Sequence, residues 1–134
     1  ANTEDHTLFQ LLDGTGLGRT MIYVDGSCGG QVSSFIGGQE LCSGSLSPGL
    51  WHHVVLRVDQ TNSTAQFFLD GVPQQIASRT MAPSDGGIQI GRGKSIAGQY
   101  WNGAIDDLMI YDSYLTDEEI VGLHEAGTNY CPLP

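Results

Sequence analysis

Positive charge is what this chain has least of: 5 Lys and Arg stand against 15 Asp and Glu in 134 residues, for a formal net charge of -10. Nothing here can neutralise a run of phosphates, so nucleic acid is not an expected partner. Long apolar runs are missing as well. No stretch approaches the roughly 18 residues that span a bilayer, and the opening A-N-T-E-D-H-T has neither a basic start nor the apolar segment of a signal peptide. The expectation is a soluble chain from which any export signal has been removed. Cysteine is scarce: Cys28, Cys42 and Cys131 form an odd set whose spacing matches no zinc or redox motif. Glutamate is confined to Glu4, Glu40, Glu118, Glu119 and Glu125, with no E-x-D-x-E pattern on one strand. Cleaving a glycosidic bond needs two carboxylates a few ångströms apart, so catalysis of that kind is not expected.

What is present suits one exported domain. A 40% hydrophobic chain of this length supports a single core over residues 1–134. Its acidic, Gly-rich composition, with 19 Gly, fits an exported protein that meets neutral ligands, cations or basic surfaces.

Strand patterns dominate. Thr7 to Leu12 is an apolar run closed by Asp13-Gly14, and Gly16-Leu17-Gly18 is a second turn. Thr20 to Val24 alternates up to Asp25-Gly26, and Gln31 to Ile36 stops at Gly37-Gly38. Ser47-Pro48-Gly49 turns the chain into Trp51. From Trp51 to Val58 the period is two, which puts Val54, Leu56 and Val58 on one face and His53, Val55 and Arg57 on the other. Ala65 to Leu69, Asp70-Gly71 and Val72 to Ala77 read as the strongest hairpin. Ile88 to Ile90 is a short strand. Gly103 to Tyr111 reads as a long one, with a bulge expected near Asp106-Asp107 because Ile105 and Leu108 cannot share a face in strict alternation.

One helix is expected at about residues 117–126. Thr116 and Glu119 form a capping box, Leu115 and Ile120 can staple, Gly127 offers a stop, and Asp117, Glu118 and Glu119 suit the positive end of the dipole. Short strands with turns every 8 to 12 residues, then one helix, define an all-β class: an antiparallel β-sandwich. Among the cysteines, Cys28 and Cys42 flank a short apolar strand and are the expected disulfide, which implies an oxidising compartment; three buried free thiols in a cytosolic protein are the alternative. Cys131, in the tail N-Y-C-P-L-P, is left over and could pair outside this sequence.

The order W-H-H-V-V-L-R-V-D, F-F-L-D-G, I-Q-I-G-R-G, W-N-G-A-I-D-D-L-M-I-Y-D and L-T-D-E-E-I-V-G-L resembles the C-terminal half of the laminin-G-like branch of the concanavalin A-like jelly-roll superfamily. The likeness covers about residues 6–126 and is strongest after Leu50. It implies a jelly roll and structural roles for Trp51-His52-His53, Asp70-Gly71 and Gly103-Ala104-Ile105-Asp106. This chain departs from the family in beginning with polar residues where an apolar, aromatic-bearing strand is usual. Either such strands were cut away, or another chain supplies them, or the sheet edges stay open; a domain fragment or a homo-oligomer is therefore expected.

A recognition module, most of all for carbohydrate, is the leading functional expectation. A sugar site needs an exposed aromatic and nearby polar groups. Tyr100-Trp101-Asn102 is the best cluster, with Tyr23 and Tyr114 in reserve, and Arg92 and Lys94 form the one concentrated positive spot, suited to an acidic glycan. A hard cation such as Ca2+ would draw on aspartates at Gly turns, with Asp13 and Asp85 as candidates. The resemblance adds Asp106, at the family's I-D position. His52 and His53 point oppositely on a strand and do not suit one metal ion, and His6 and His124 show no partner in the sequence. Asn62-Ser63-Thr64 is a glycosylation sequon on a turn. The competing readings are an adhesive module binding an extracellular or cell-surface protein or its own copies, and a fragment of a carbohydrate-active enzyme whose catalytic residues lie elsewhere.

Overall fold

The computed structural model describes residues 6–16, 18–25, 28–93 and 99–130. The expected turns through Leu17 and Gly26, together with Lys94 and Cys131, lie outside those residues. The described chain is a sandwich of antiparallel sheets. The first sheet has five strands in the order β4-β3-β2-β1-β9: β1 His6–Leu12, β2 Gly18–Asp25, β3 Gln31–Ile36, β4 Gln39–Ser45 and β9 Gly87–Ile90. The second is built on β5 Val54–Asp59 and β6 Thr64–Leu69, with the short pieces β7 Val72–Pro73 and β8 Ala77–Ser78 both paired to β6. The return strand expected at Val72–Ala77 is thus present but broken over residues 74–76. β4 was not read from the sequence. It forms because Gly37 and Gly38, at φ 59° and 77°, fold the chain tightly back on β3.

Alternation places the core between the sheets. Val32, Ile36 and Leu41 of the first sheet meet Ala65, Phe67 and Leu69 of the second, with Ile22, Val24, Val54, Leu56 and Val58 packed around them. Phe67 is fully buried, which alone is worth about 1.5–3 kcal/mol of apolar transfer. The Cys28–Cys42 disulfide forms as expected and ties the turn before β3 to the middle of β4.

Helix α1 runs Asp117–Tyr130, four residues past the expected end. Gly127 does not stop it, because the backbone stays helical there and a glycine in a helix costs only about 1 kcal/mol relative to alanine. The capping box is as expected: the Thr116 N–H donates to Glu119 Oε2 at 2.8 Å, and the Glu119 N–H donates to Thr116 Oγ1 at 3.2 Å. The helix docks on the outer face of the second sheet, where Ile120 and Phe68 are both fully buried.

Arg57 fixes that docking. Only 10% of its side chain is exposed, and Nη1 donates to the Leu115 carbonyl at 3.0 Å and to Asp117 Oδ1 at 2.7 Å. Nη2 donates to Gln66 Oε1 at 2.7 Å, and the guanidinium lies over the rings of Phe68 and Tyr114 at 4.7 and 4.5 Å.

Residues 103–111 are the main departure from expectation. They form no strand, and among the described residues they make no ladder with any other segment. Without a paired strand the expected bulge does not form, although Asp107 sits at φ 50° with its N–H donating to Asp106 Oδ1. An apolar, strand-like pattern becomes a strand only when a neighbour accepts its backbone hydrogen bonds.

Arg57→Ala should lower stability by about 2–3 kcal/mol through the lost buried hydrogen bonds. Asp117→Asn, which removes only a half-exposed partner, should cost under about 1 kcal/mol. Urea unfolding of both variants checks the contrast. The double change Cys28→Ser with Cys42→Ser should cost about 3 kcal/mol in the same assay.

Candidate functional site

The site expected around Tyr100 is built at the end of β9. After Gly91 the chain loops out and returns, and Arg92 pairs with Tyr100 in an isolated antiparallel bridge. Two backbone bonds close the neck of this loop: the Gly93 N–H donates to the Gln99 carbonyl at 2.8 Å, and the Trp101 N–H donates to the Gly91 carbonyl at 2.9 Å. Cross-strand partners project to the same side of a ladder. Tyr100 is 56% exposed, and Arg92 and Asn102 are exposed too. The Tyr100 carbonyl is held by His6 Nδ1 at 2.9 Å, so β1 anchors the rim from below.

Trp101 behaves differently from its neighbour. It is half-buried, its indole N–H donates to the Ala104 carbonyl at 3.3 Å, and its ring lies against Gly103, where an added Cβ would come within 2.9 Å of Nε1. The exposed ring of the cluster is therefore Tyr100, while Trp101 packs against Gly91, Gly103 and Ala104. Of the reserve aromatics, Tyr23 is buried and donates its hydroxyl to Glu40 Oε1 at 2.9 Å, while Tyr114 covers Arg57.

The candidate calcium ligands are only partly brought together. Asp13 closes its turn by accepting from the N–H and hydroxyl of Thr15 at 2.9 and 2.6 Å. Asp85 lies against the same turn, its Oδ1 3.4 Å from where a Cβ on Gly14 would be. Asp106 accepts a bond from its own neighbour instead. Among the described residues, the one place where three ligand-capable atoms lie within 4.8 Å of one another is Cys28, Glu40 and Cys42, whose sulfurs are already bonded together. Calcium takes six to eight oxygens. Two carboxylates on adjoining turns do not amount to that set.

A histidine cluster was not anticipated as a unit. His52 Nδ1 sits 2.8 Å from Asp70 Oδ2 and Nε2 lies 3.0 Å from the Ser47 carbonyl, while the His53 N–H donates to Asp70 Oδ1 at 2.9 Å. Asp70, at φ 51° in the β6–β7 turn, thereby clamps the start of β5. On the opposite face, the His53 ring stacks on His124 of the helix with centroids 5.6 Å apart, and its buried Nδ1 has no hydrogen-bond partner among the described residues. His124 in turn lies against Gly71. The expectation that His6 and His124 lack partners is thus corrected: each reaches a segment distant in sequence.

Protonation follows from these contacts. The hydrogen bond to Asp70 raises the His52 pKa above 6.5, while burial, followed by the nearby His124, lowers that of His53 below it. Burial alone would raise the Asp70 pKa, but the bonds from His52 and the His53 N–H outweigh it and hold the carboxyl below its ordinary range.

With this geometry established, similarity adds the family. Residues 1–121 match the laminin G model of the concanavalin A-like lectin/glucanases superfamily, and the chain belongs to that superfamily. No curated protein matches it. Among solved structures, an S-layer domain-containing protein from Clostridium thermocellum has a similar fold, with a TM-score of 0.52 and 20% identity over 92% of this chain. The match covers 64% of that protein's chain.

The two histidines give opposite pH dependences. His53, with its lowered pKa, takes up a proton more readily when unfolded, so its contribution is lost as pH falls through about 6.5. His52, with its raised pKa, stabilises most below 6.5, and that contribution fades as pH rises through its folded value. In melting curves from pH 5 to 8, His53→Gln should remove a loss of stability on the acid side. His52→Gln should remove one on the neutral side.

Proposed function

We propose that this chain is a non-catalytic, extracytoplasmic recognition module that binds carbohydrate at the rim formed by Arg92, Tyr100 and Asn102. The observation that carries the reading is the Arg92–Tyr100 bridge, whose cross-strand partners project to one side of a closed loop neck and are both exposed. A flat ring offers a face to the apolar side of a pyranose, while the guanidinium and the Asn102 amide can hydrogen-bond hydroxyls or a carboxylate. Holding the loop by backbone bonds and by His6 limits the ordering cost on binding. Lys94, two positions from Arg92 in sequence and outside the described residues, is a further candidate for contact with an acidic glycan.

The non-catalytic reading draws on where carboxylates are used. Glu119 caps the helix, Asp70 clamps β5, Glu40 receives Tyr23 and Asp13 closes its own turn. Extracytoplasmic placement is supported by the disulfide and by membership of a superfamily whose laminin G domains bind extracellular ligands.

A glycan array, run with and without added calcium, tests the function. Neutral or acidic oligosaccharides should be retained in either condition. Tyr100→Ala should weaken the best one at least about tenfold, the value of roughly one lost stacking contact, with an unchanged melting temperature. Arg92→Gln should weaken acidic glycans more than neutral ones. An array without hits, or binding indifferent to Tyr100→Ala, would remove this site from consideration.

A further inference from the structure

The sheets of the sandwich are unequal in width, and the difference falls on one side. Cross-strand partners share a face, so the pairs Phe9 with Ile22, Phe9 with Ile90 and Leu11 with Ile88 put all five residues on the inner face of the first sheet. Ile22 packs into the core. The core cluster draws on β2, β3 and β4 of this sheet but on neither β1 nor β9, and Ile88 and Ile90 remain 50% and 53% exposed.

The second sheet stops short above them. Its β6–β7 side lies over β4, where a side chain on Gly44 would meet Leu69 and Gln74, so β5 forms the margin facing β1 and β9. Among the described residues β5 pairs with β6 alone. The His53 carbonyl accepts from the Asp70 N–H, and the carbonyl of Phe67, the partner of Leu56, goes to the Gln74 N–H on the far side. In an antiparallel ladder these bonds alternate, so the backbone groups of Val54, Leu56 and Val58 point to the open margin.

The third wall is the segment expected to be a strand. It leaves β9 beside Gly91, where Ile105 packs, and is tied down again at Tyr114 and Leu115 on Arg57 of β5. Between these anchors Leu108, Met109, Ile110 and Tyr111 are 45–59% exposed. An apolar floor, a strand margin and an apolar segment, the last two unpaired among the described residues, thus border one slot.

We infer that this slot receives one added β-strand: a peptide segment from outside these 134 residues, apolar at alternate positions and neutral or basic at its ends. The strand would pair with the margin of β5, lay its apolar face over Phe9, Leu11, Ile88 and Ile90, and give residues 106–111 a neighbour. Charge selects this occupant over a second copy. The segment that forms the third wall carries Asp106, Asp107 and Asp112, all exposed, and each copy carries a net charge of -10, so the same segment of another copy would bring like charges together. The inference is independent of the glycan rim and survives its failure.

The test uses the full chain and a fluorescent peptide, acetyl-Lys-Ile-Thr-Val-Thr-Val-Thr-Lys-amide, with a version carrying proline in place of its first valine as control. Anisotropy should give saturable binding with Kd below about 100 µM, and the proline peptide should bind at least about tenfold more weakly. Amide exchange at Val54, Leu56, Val58 and residues 108–111 should slow at least about tenfold in the bound state. Ile110→Asp, and separately Ile88→Ser with Ile90→Ser, should each weaken binding about tenfold or more without altering the far-ultraviolet spectrum, because these side chains are exposed in the free protein. Equal binding of both peptides, no saturation, or a sedimenting dimer that protects the same amides would overturn it.

Discussion

Arg57 is the point at which local and distant parts of this molecule are joined. A largely buried guanidinium must find acceptors for its donors, and Arg57 finds them in Gln66 on the adjacent strand and in Leu115 and Asp117 at the start of the helix. Because the helix is held there, Ile120 stays buried and His124 stays stacked on His53. The end of the 103–116 segment is fixed by the same residue. Loss of the guanidinium would therefore loosen the helix, the stacked histidines and one wall of the slot together, although these features lie far apart in sequence.

What could be read from the residues was what depends on neighbours in the chain. The capping box at Thr116 and Glu119 involves two side chains one turn apart, and Asp70-Gly71 needs only the positive φ that both residues adopt. The disulfide was legible because two cysteines flanked one strand. β4 was hidden, since Q-E-L-C-S-G-S offers little alternation and Leu41 is its one buried apolar residue. Alternation could only put Arg57 on the strand face it shares with His53 and Val55, and its partner Asp117 is 60 positions away. Residues 103–111 carry a strand's composition, but whether such a segment pairs is decided by what lies beside it.

The rim shows the same division. An aromatic cluster was visible at Tyr100-Trp101-Asn102, but composition could not say which ring faces outward. The Arg92–Tyr100 bridge and the Trp101 contact with Gly91 decide it, by turning Tyr100 out and drawing Trp101 toward Ala104 and Gly103. The histidines followed a similar course. His53 read as part of a strand start and His124 as partnerless, and only the fold brings His53 of the sheet against His124 of the helix, where one proton changes the balance of the contact.

The Cys28–Cys42 bond also shapes how the domain carries mechanical load. It joins residues separated by 14 positions, so most of the β3–β4 hairpin lies within a covalent ring whose ends are held 5.7 Å apart. If tension were applied along the chain, that ring could not pay out its stored length, roughly 40–45 Å at full extension. Force would pass through the sulfurs, and the residues between Cys28 and Cys42 would stay gathered in one closed loop after the rest had been drawn straight.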